Sequence, residues 1–219
     1  MIGRYIIGWN DSATEKYRHR KLENLPVYHE RQSFWLCAKH SLNNVLQQEA
    51  YTHNDLERVA NQLHAQQQQQ QQQASSWLSR NNHKNTFGFG DYDVNVITGA
   101  LHERGLDLHW HDNRVPISQA MPSNCLGIIV HIRQSWLFRN GHWFAIKYFD
   151  SEIAMPAVSS EAAGAGERRG PGFWNLDSKA EYPEFIGGKE ELDLFVVRLT
   201  QKYQVHAMFV VPMQTPGAA

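Results

Sequence analysis

Only two cysteines occur in the 219 residues, Cys37 and Cys125. So few thiols exclude a disulfide framework and point to a reducing compartment, the cytoplasm or the nucleus. An excess of one charge is missing too, with 21 Lys and Arg against 22 Asp and Glu. No basic field is left over for nucleic acid or for an anionic lipid surface. Long hydrophobic runs are absent. The opening Met1-Ile2-Gly3-Arg4-Tyr5-Ile6-Ile7-Gly8-Trp9-Asn10 is too short and too interrupted for a secretory h-region. No stretch reaches the length of a membrane span, so a soluble chain is expected. There is no internal repeat. Although 12 histidines are present, paired-cysteine and helical two-histidine metal motifs are not. His109 and His111 on one strand face, with Cys125 and His131 further on, do not make a zinc pattern, so no metal and no cofactor are expected.

What remains is a chain 42% hydrophobic, enough for one domain with a real core. Residues 1–25 read as a polar leader. From Ser33 onward a helix is expected, because Ala38, Leu42, Val45 and Leu46 recur at helical spacing, with Ser33 or a neighbour as its cap. Thr52 and Asp55 form a capping box for a second helix, whose stripe is Leu56, Val59, Ala60 and Leu63. The glutamine run 66–73 either continues that helix or is disordered. Residues 79–85 read as polar loop, and Tyr92 to Arg104 as a third helix, with Val94, Ile97 and Leu101 on one face and Gly105 as its stop.

Beyond Gly105 the period changes. Leu106 to Trp110, Leu126 to Ile132, His142 to Phe149, Phe173 to Asp177 and Val205 to Val211 read as strands. A last helix carries Leu192, Phe195, Val196 and Leu199. The Ala/Gly/Ser/Pro-rich stretch 154–172 reads as a flexible insertion between two strands. Helices first and strands afterwards predict an α+β domain with an antiparallel sheet, here 26–213, followed by a short tail at 214–219.

The chemistry lies in the order of three residue types. Cys37 falls in the first turn of a predicted helix, where the macrodipole and a nearby imidazole lower a thiol pKa and expose the thiolate. His142, downstream in Gly141-His142-Trp143-Phe144, can hold the proton and return it to a leaving amine. Asn175 and Asp177 are both candidates to orient that ring; two apart on a strand, they share a face, and spacing does not choose between them. Gln32, five positions before Cys37, can donate its amide to a developing oxyanion beside the Cys37 N–H. Taken singly, each has a plainer reading: a small core cysteine, a half-buried histidine, turn chemistry at Asp177-Ser178. His40, one turn after Cys37, reads as a packing residue rather than the base. Cysteine, histidine and carboxylate in this order with these flanks favour a thiol hydrolase.

Those flanks resemble the Josephin family of papain-like deubiquitinases, to which the ataxin-type enzymes belong. Tyr28-His29-Glu30-Arg31-Gln32, Leu36-Cys37-Ala38, His40 and Leu42-Asn43-Asn44 are similar to its N-terminal signature. Asp91 to Ile97, His142-Trp143-Phe144 and Asn175-Leu176-Asp177-Ser178 follow in the family's order. The resemblance implies a papain-like fold with N-terminal helices packed on an antiparallel sheet. It implies Cys37 as nucleophile, His142 as general base and acid, Asp177 as third residue and Gln32 as oxyanion donor. It also implies a substrate, ubiquitin or polyubiquitin conjugates, cut after the terminal glycine of ubiquitin through a thioester, by a monomeric enzyme. Aspartate at 177 and the end of the chain after its last strand resemble the short Josephin-only type. The glutamine run falls in the family's helical arm. Trp143 reads either as a wall of the channel for the substrate tail or as a core residue. Two rival functions are a thiol peptidase or amidase acting on another substrate, and a ubiquitin-binding or scaffold module with a weak or inactive cleft.

Overall fold

A computed structural model describes residues 27–32, 36–71, 92–133, 141–154 and 168–214. The leader, the polar loop at 79–85, residues 155–167 and the last five residues lie outside them. Among the described residues three helices come first: α1 (Cys37–Leu46), α2 (His53–Gln71) and α3 (Val94–His102). There follow β1 (Leu106–Trp110), the short α4 (Ile117–Ala120), β2 (Gly127–Arg133), β3 (His142–Phe149), β4 (Ile153–Ala154) and β5 (Arg168–Arg169). The chain closes with β6 (Gly172–Leu176), β7 (Glu184–Gly187), α5 (Lys189–Thr200) and β8 (Gln204–Pro212).

Six strands form one sheet in the order β1-β8-β2-β3-β6-β7, every pair antiparallel. This is the α+β, papain-like architecture expected from the sequence. Side chains alternate across β3 and serve two cores. Trp143 and Ala145 face α1, α2 and α3 in a cluster with Leu42, Leu56 and Ile97. Phe144 and Ile146 face α5 in a second cluster with Leu192 and Val196. Both faces of the central strands are therefore covered, which is why β2 and β3 read as nearly continuous apolar runs.

The helix boundaries follow local chemistry. In the Thr52 capping box the Asp55 carboxylate accepts the Thr52 N–H at 2.8 Å and the Thr52 hydroxyl accepts the Asp55 N–H at 3.3 Å. Helix α2 continues through Gln71, so most of the glutamine run extends it, and Gln66, Gln68 and Gln69 are exposed. Helix α3 starts two residues later than expected, because Asp93 caps it through the N–H groups of Asn95 (2.9 Å) and Val96 (3.2 Å). Gly105 ends that helical segment at φ +69°, a conformation costly for a residue with a Cβ.

Helix α1 departs from expectation. Its first helical residue is Cys37 and its cap position is Leu36, with no side-chain cap bond; Ser33 lies outside the described residues. Nine of its ten residues are buried, polar ones included, so it is a central helix rather than a one-sided amphipathic one. The stretch 154–172 is also narrower as an insertion than predicted. Ile153 and Ala154 pair with Arg169 and Arg168 in a two-stranded ladder, and Gly172 already belongs to β6. Strand β7 and helix α4 were not expected.

Candidate active site

Three segments distant in sequence meet at one end of the sheet: residues 28–32, the head of α1, and the turn that follows β6. Helix α1 lies along β3. Near its C-terminal end, Val45 packs where Gly127 and Ile146 come together, and Asn44 donates to the Leu176 carbonyl at 2.9 Å. Ala145 stands opposite Leu176 in the β3–β6 register. At about 1.5 Å per residue, Cys37 lies about 12 Å back along the helix from Val45. His142 lies about 13 Å back along β3 from Ile146. Residues 28–32 run back along α1, from Tyr28 beside Gln47 to Glu30 beside Lys39 and His40. Gln32 then meets Ser178, next to Asp177 and its partner His142. The head of α1 and the start of β3 therefore lie at one end of the helix–sheet layer. Cys37, 5% exposed, sits in the first helical turn, where the positive end of the helix dipole favours an anion.

His142 opens β3 and is buried. Its Nε2–H donates to Asp177 Oδ1 at 2.7 Å. With that nitrogen committed, the lone pair of the neutral ring lies on Nδ1. Burial alone would raise the Asp177 pKa. The hydrogen bond from His142, its charge, and the Lys179 N–H (2.9 Å) more than offset this, and the carboxyl is held below its usual range. Of the two candidates for orienting the ring, Asp177 is the one the structure brings to His142. Strand β6 ends at Leu176, so Asp177 has already turned off the strand. Asn175 remains on it and donates instead to Glu184 Oε2 at 3.3 Å.

Gln32 joins the same turn. Its backbone N–H donates to the Ser178 carbonyl at 2.7 Å, and the Ser178 hydroxyl donates to Gln32 Oε1 at 3.4 Å. Holding the amide oxygen fixes which end of the side chain is the NH2 donor. His29 adds a bond from Nε2–H to the Ala180 carbonyl at 3.2 Å. Trp143 is 3% exposed; its indole N–H donates to the Tyr92 carbonyl at 3.1 Å. Its ring stacks on His131 at 4.2 Å. That ring packs in the core beneath the site.

Two features escaped the sequence reading. Ser178, expected to make only turn chemistry with Asp177, also holds the Gln32 side chain and backbone. The second is a buried polar cluster on α1. The Glu30 carboxylate, 7% exposed, accepts from the Tyr28 hydroxyl, from Asn43 Nδ2 at 2.9 Å, from His40 Nδ1 at 2.6 Å and from Lys39 Nζ at 2.9 Å. His40 is thus bonded to a carboxylate of its own, as a packing residue rather than the partner of Asp177. Burial pushes the Glu30 pKa up, but His40, Tyr28 and Lys39 outweigh it and hold the group down at about 2. Spacing offered no signal for this cluster, because Lys39, His40, Asn43 and Asn44 look like a solvated helix face. Among the described residues there is no cluster of His, Cys, Asp or Glu able to hold a metal ion.

Gly141 makes a testable contact. A Cβ there would lie 1.9 Å from His131 Nε2, and His131 is pinned by its stack on Trp143. Gly141→Ala must therefore shift the backbone leading into His142. It is expected to cost about 1–3 kcal/mol in denaturant unfolding, as overpacking does, and to lower turnover with it. An unchanged midpoint would mean that His131 moves freely.

The Josephin family model matches residues 32–211. The chain belongs to the Josephin family. Human Josephin-2 is 31% identical over 192 residues, covering 84% of this chain and 86% of that protein. The Josephin-like protein of Drosophila melanogaster is 27% identical over 194 residues, 84% of this chain and 73% of the relative. Human Ataxin-3-like protein is 27% identical over 197 residues, 87% of this chain but 47% of its own length. This Josephin domain therefore sits in a family of cysteine-type proteases. Among its described residues no helix is long and apolar enough to cross a membrane.

Proposed function

We propose that this Josephin domain is a thiol-dependent deubiquitinase that hydrolyses the peptide or isopeptide bond after the C-terminal glycine of ubiquitin. The observation that carries this reading is the 2.7 Å bond from His142 Nε2 to Asp177, at the end of the sheet where Cys37 heads α1. In this mechanism His142 Nδ1 takes the Cys37 proton, and the helix N-terminus and the imidazolium stabilise the thiolate. The sulfur attacks the glycine carbonyl carbon, and the oxyanion accepts from the Gln32 amide and the Cys37 N–H. As the tetrahedral intermediate collapses, the imidazolium passes its proton to the leaving amine and a thioester remains. Water, deprotonated by His142, then attacks the thioester and releases the ubiquitin carboxylate and the Cys37 thiol. Asp177 keeps Nε2 protonated and Nδ1 turned to the sulfur throughout.

The test is a ubiquitin derivative with a C-terminal electrophile. The wild-type chain is expected to form one covalent adduct at Cys37, with none in Cys37→Ala, and Cys125→Ala is expected to label normally. Tight binding without an adduct would favour a ubiquitin-binding module instead. Reaction with small thiol reagents alone would favour a peptidase of another substrate.

A further inference from the structure

We propose that Glu30 is a positioning residue for the oxyanion donor: its buried carboxylate locks residues 28–32 against α1 and so sets where the Gln32 amide stands relative to Cys37. The inference rests on the deubiquitinase reading above, in which Gln32 and Cys37 act on the same carbonyl.

Three of the four donors to this carboxylate, Lys39, His40 and Asn43, belong to the helix that begins with Cys37. The fourth, Tyr28, belongs to the segment that carries Gln32. The Glu30 backbone N–H also donates to Asn44 Oδ1 at 2.7 Å, on the same helix. A single residue, Arg31, separates this anchor from Gln32. Glu30 thus ties the nucleophile's helix to the oxyanion donor by four hydrogen-bonded contacts, braced by Tyr28 from its own segment, and none of them involves His142 or Asp177.

Filling a core does not require an ion there, since apolar residues of similar volume usually stabilise as well or better. What a carboxylate held by four fixed donors adds is direction and register. An apolar contact lets a segment slide, and a displacement of about 1 Å at a reacting group can cost about a hundredfold in rate. An oxyanion donor works only at about 2.7–3.1 Å from the oxygen. Ser178 holds the Gln32 N–H and the rotation of its amide, and Glu30 fixes the segment leading into Gln32 against the helix that begins with Cys37.

The experiment is a double-mutant cycle on the full chain, read by steady-state hydrolysis of a ubiquitin C-terminal fluorogenic amide. Gln32→Ala is expected to lower kcat by about a hundredfold, as loss of an oxyanion donor does. Glu30→Gln should lower kcat by about tenfold or more with KM within about twofold, and add almost nothing once Gln32 is already alanine. Should Glu30→Gln fail to fold, Tyr28→Phe serves as the second variant. It keeps the ring, removes one donor, and is expected to lower kcat by about threefold, again only when Gln32 is present. Some loss of stability is expected on either account; a purely structural role would lower only the fraction of enzyme labelled by the electrophilic probe, with kcat per labelled site unchanged. That result, or losses that multiply with Gln32→Ala, overturns the proposal. Full activity in Gln32→Ala overturns it as well, by removing the group it acts through. Turnover retained in Cys37→Ala would be a different failure, that of the deubiquitinase reading itself.

Discussion

His142→Ala is expected to lower turnover of a ubiquitin amide by about a thousandfold to ten-thousandfold, the range spanned by loss of an acid–base group in a catalytic triad. Asp177→Ala should cost about a hundredfold, and Asn175→Ala no more than about threefold. The ranking follows from the bonds each residue makes. In the proposed mechanism His142 alone takes the Cys37 proton and protonates the leaving amine. Without Asp177 the ring remains but loses the acceptor at Nε2 that fixes its tautomer and rotation. Asn175 faces Glu184 on the neighbouring strand and never meets the ring. Asp177→Asn is the informative intermediate, because an amide oxygen still accepts the Nε2–H but brings no charge. Its loss should stay within about tenfold, since orientation matters more than the ion here. Equal losses in Asn175→Ala and Asp177→Ala, measured as kcat at saturating substrate, would reverse the assignment of the third residue.

The features that were legible in the sequence are those decided by local chemistry. The Thr52–Asp55 box, the stop at Gly105 and the apolar run of β3 each depend on residues a few positions apart, and each appears where the local sequence puts it. The Asp93 cap is equally local, its carboxylate meeting the N–H groups two and three residues on. What was not legible depends on partners brought from elsewhere. Lys39, His40, Asn43 and Asn44 are ordinary surface residues by type. They are buried because residues 28–32 and the end of β6 supply their hydrogen bonds. The choice between Asn175 and Asp177 turned on where β6 ends, and a strand end is set by its neighbours rather than by its own sequence. Strand β7 offered only Phe185 and Ile186 between Glu184 and a glycine, too few for a pattern. It is a strand because β6 presents an edge for it to pair with. The pairing of His142 with Asp177 was legible only through the resemblance, which carries positions that spacing cannot.

Acid should destabilise the domain chiefly through Glu30. In the folded chain its carboxyl is held at about 2, against an ordinary value of 4.5 that the unfolded chain regains. Between those values the unfolded chain binds the extra proton. The stabilisation is therefore complete above about pH 4.5 and is lost as pH falls through about 2. The difference corresponds to on the order of 3 kcal/mol, a large share of the roughly 5–15 kcal/mol that holds a domain folded. Asp177 contributes in the same direction, since its pKa is also lowered. Urea unfolding of the wild type and Glu30→Gln at a series of pH values separates the two sources. At neutral pH the variant should be less stable, because Lys39 loses its buried counter-charge. As pH falls from about 4.5 toward 2.5 the gap should narrow, the wild type losing the stabilisation that the variant never had. A gap that stays constant would mean that Glu30 is already protonated in the folded state, and that the hydrogen bonds around it join neutral groups. Such a clamp would be weaker, because bonds to a carboxylate are roughly twice as strong as bonds between neutral partners.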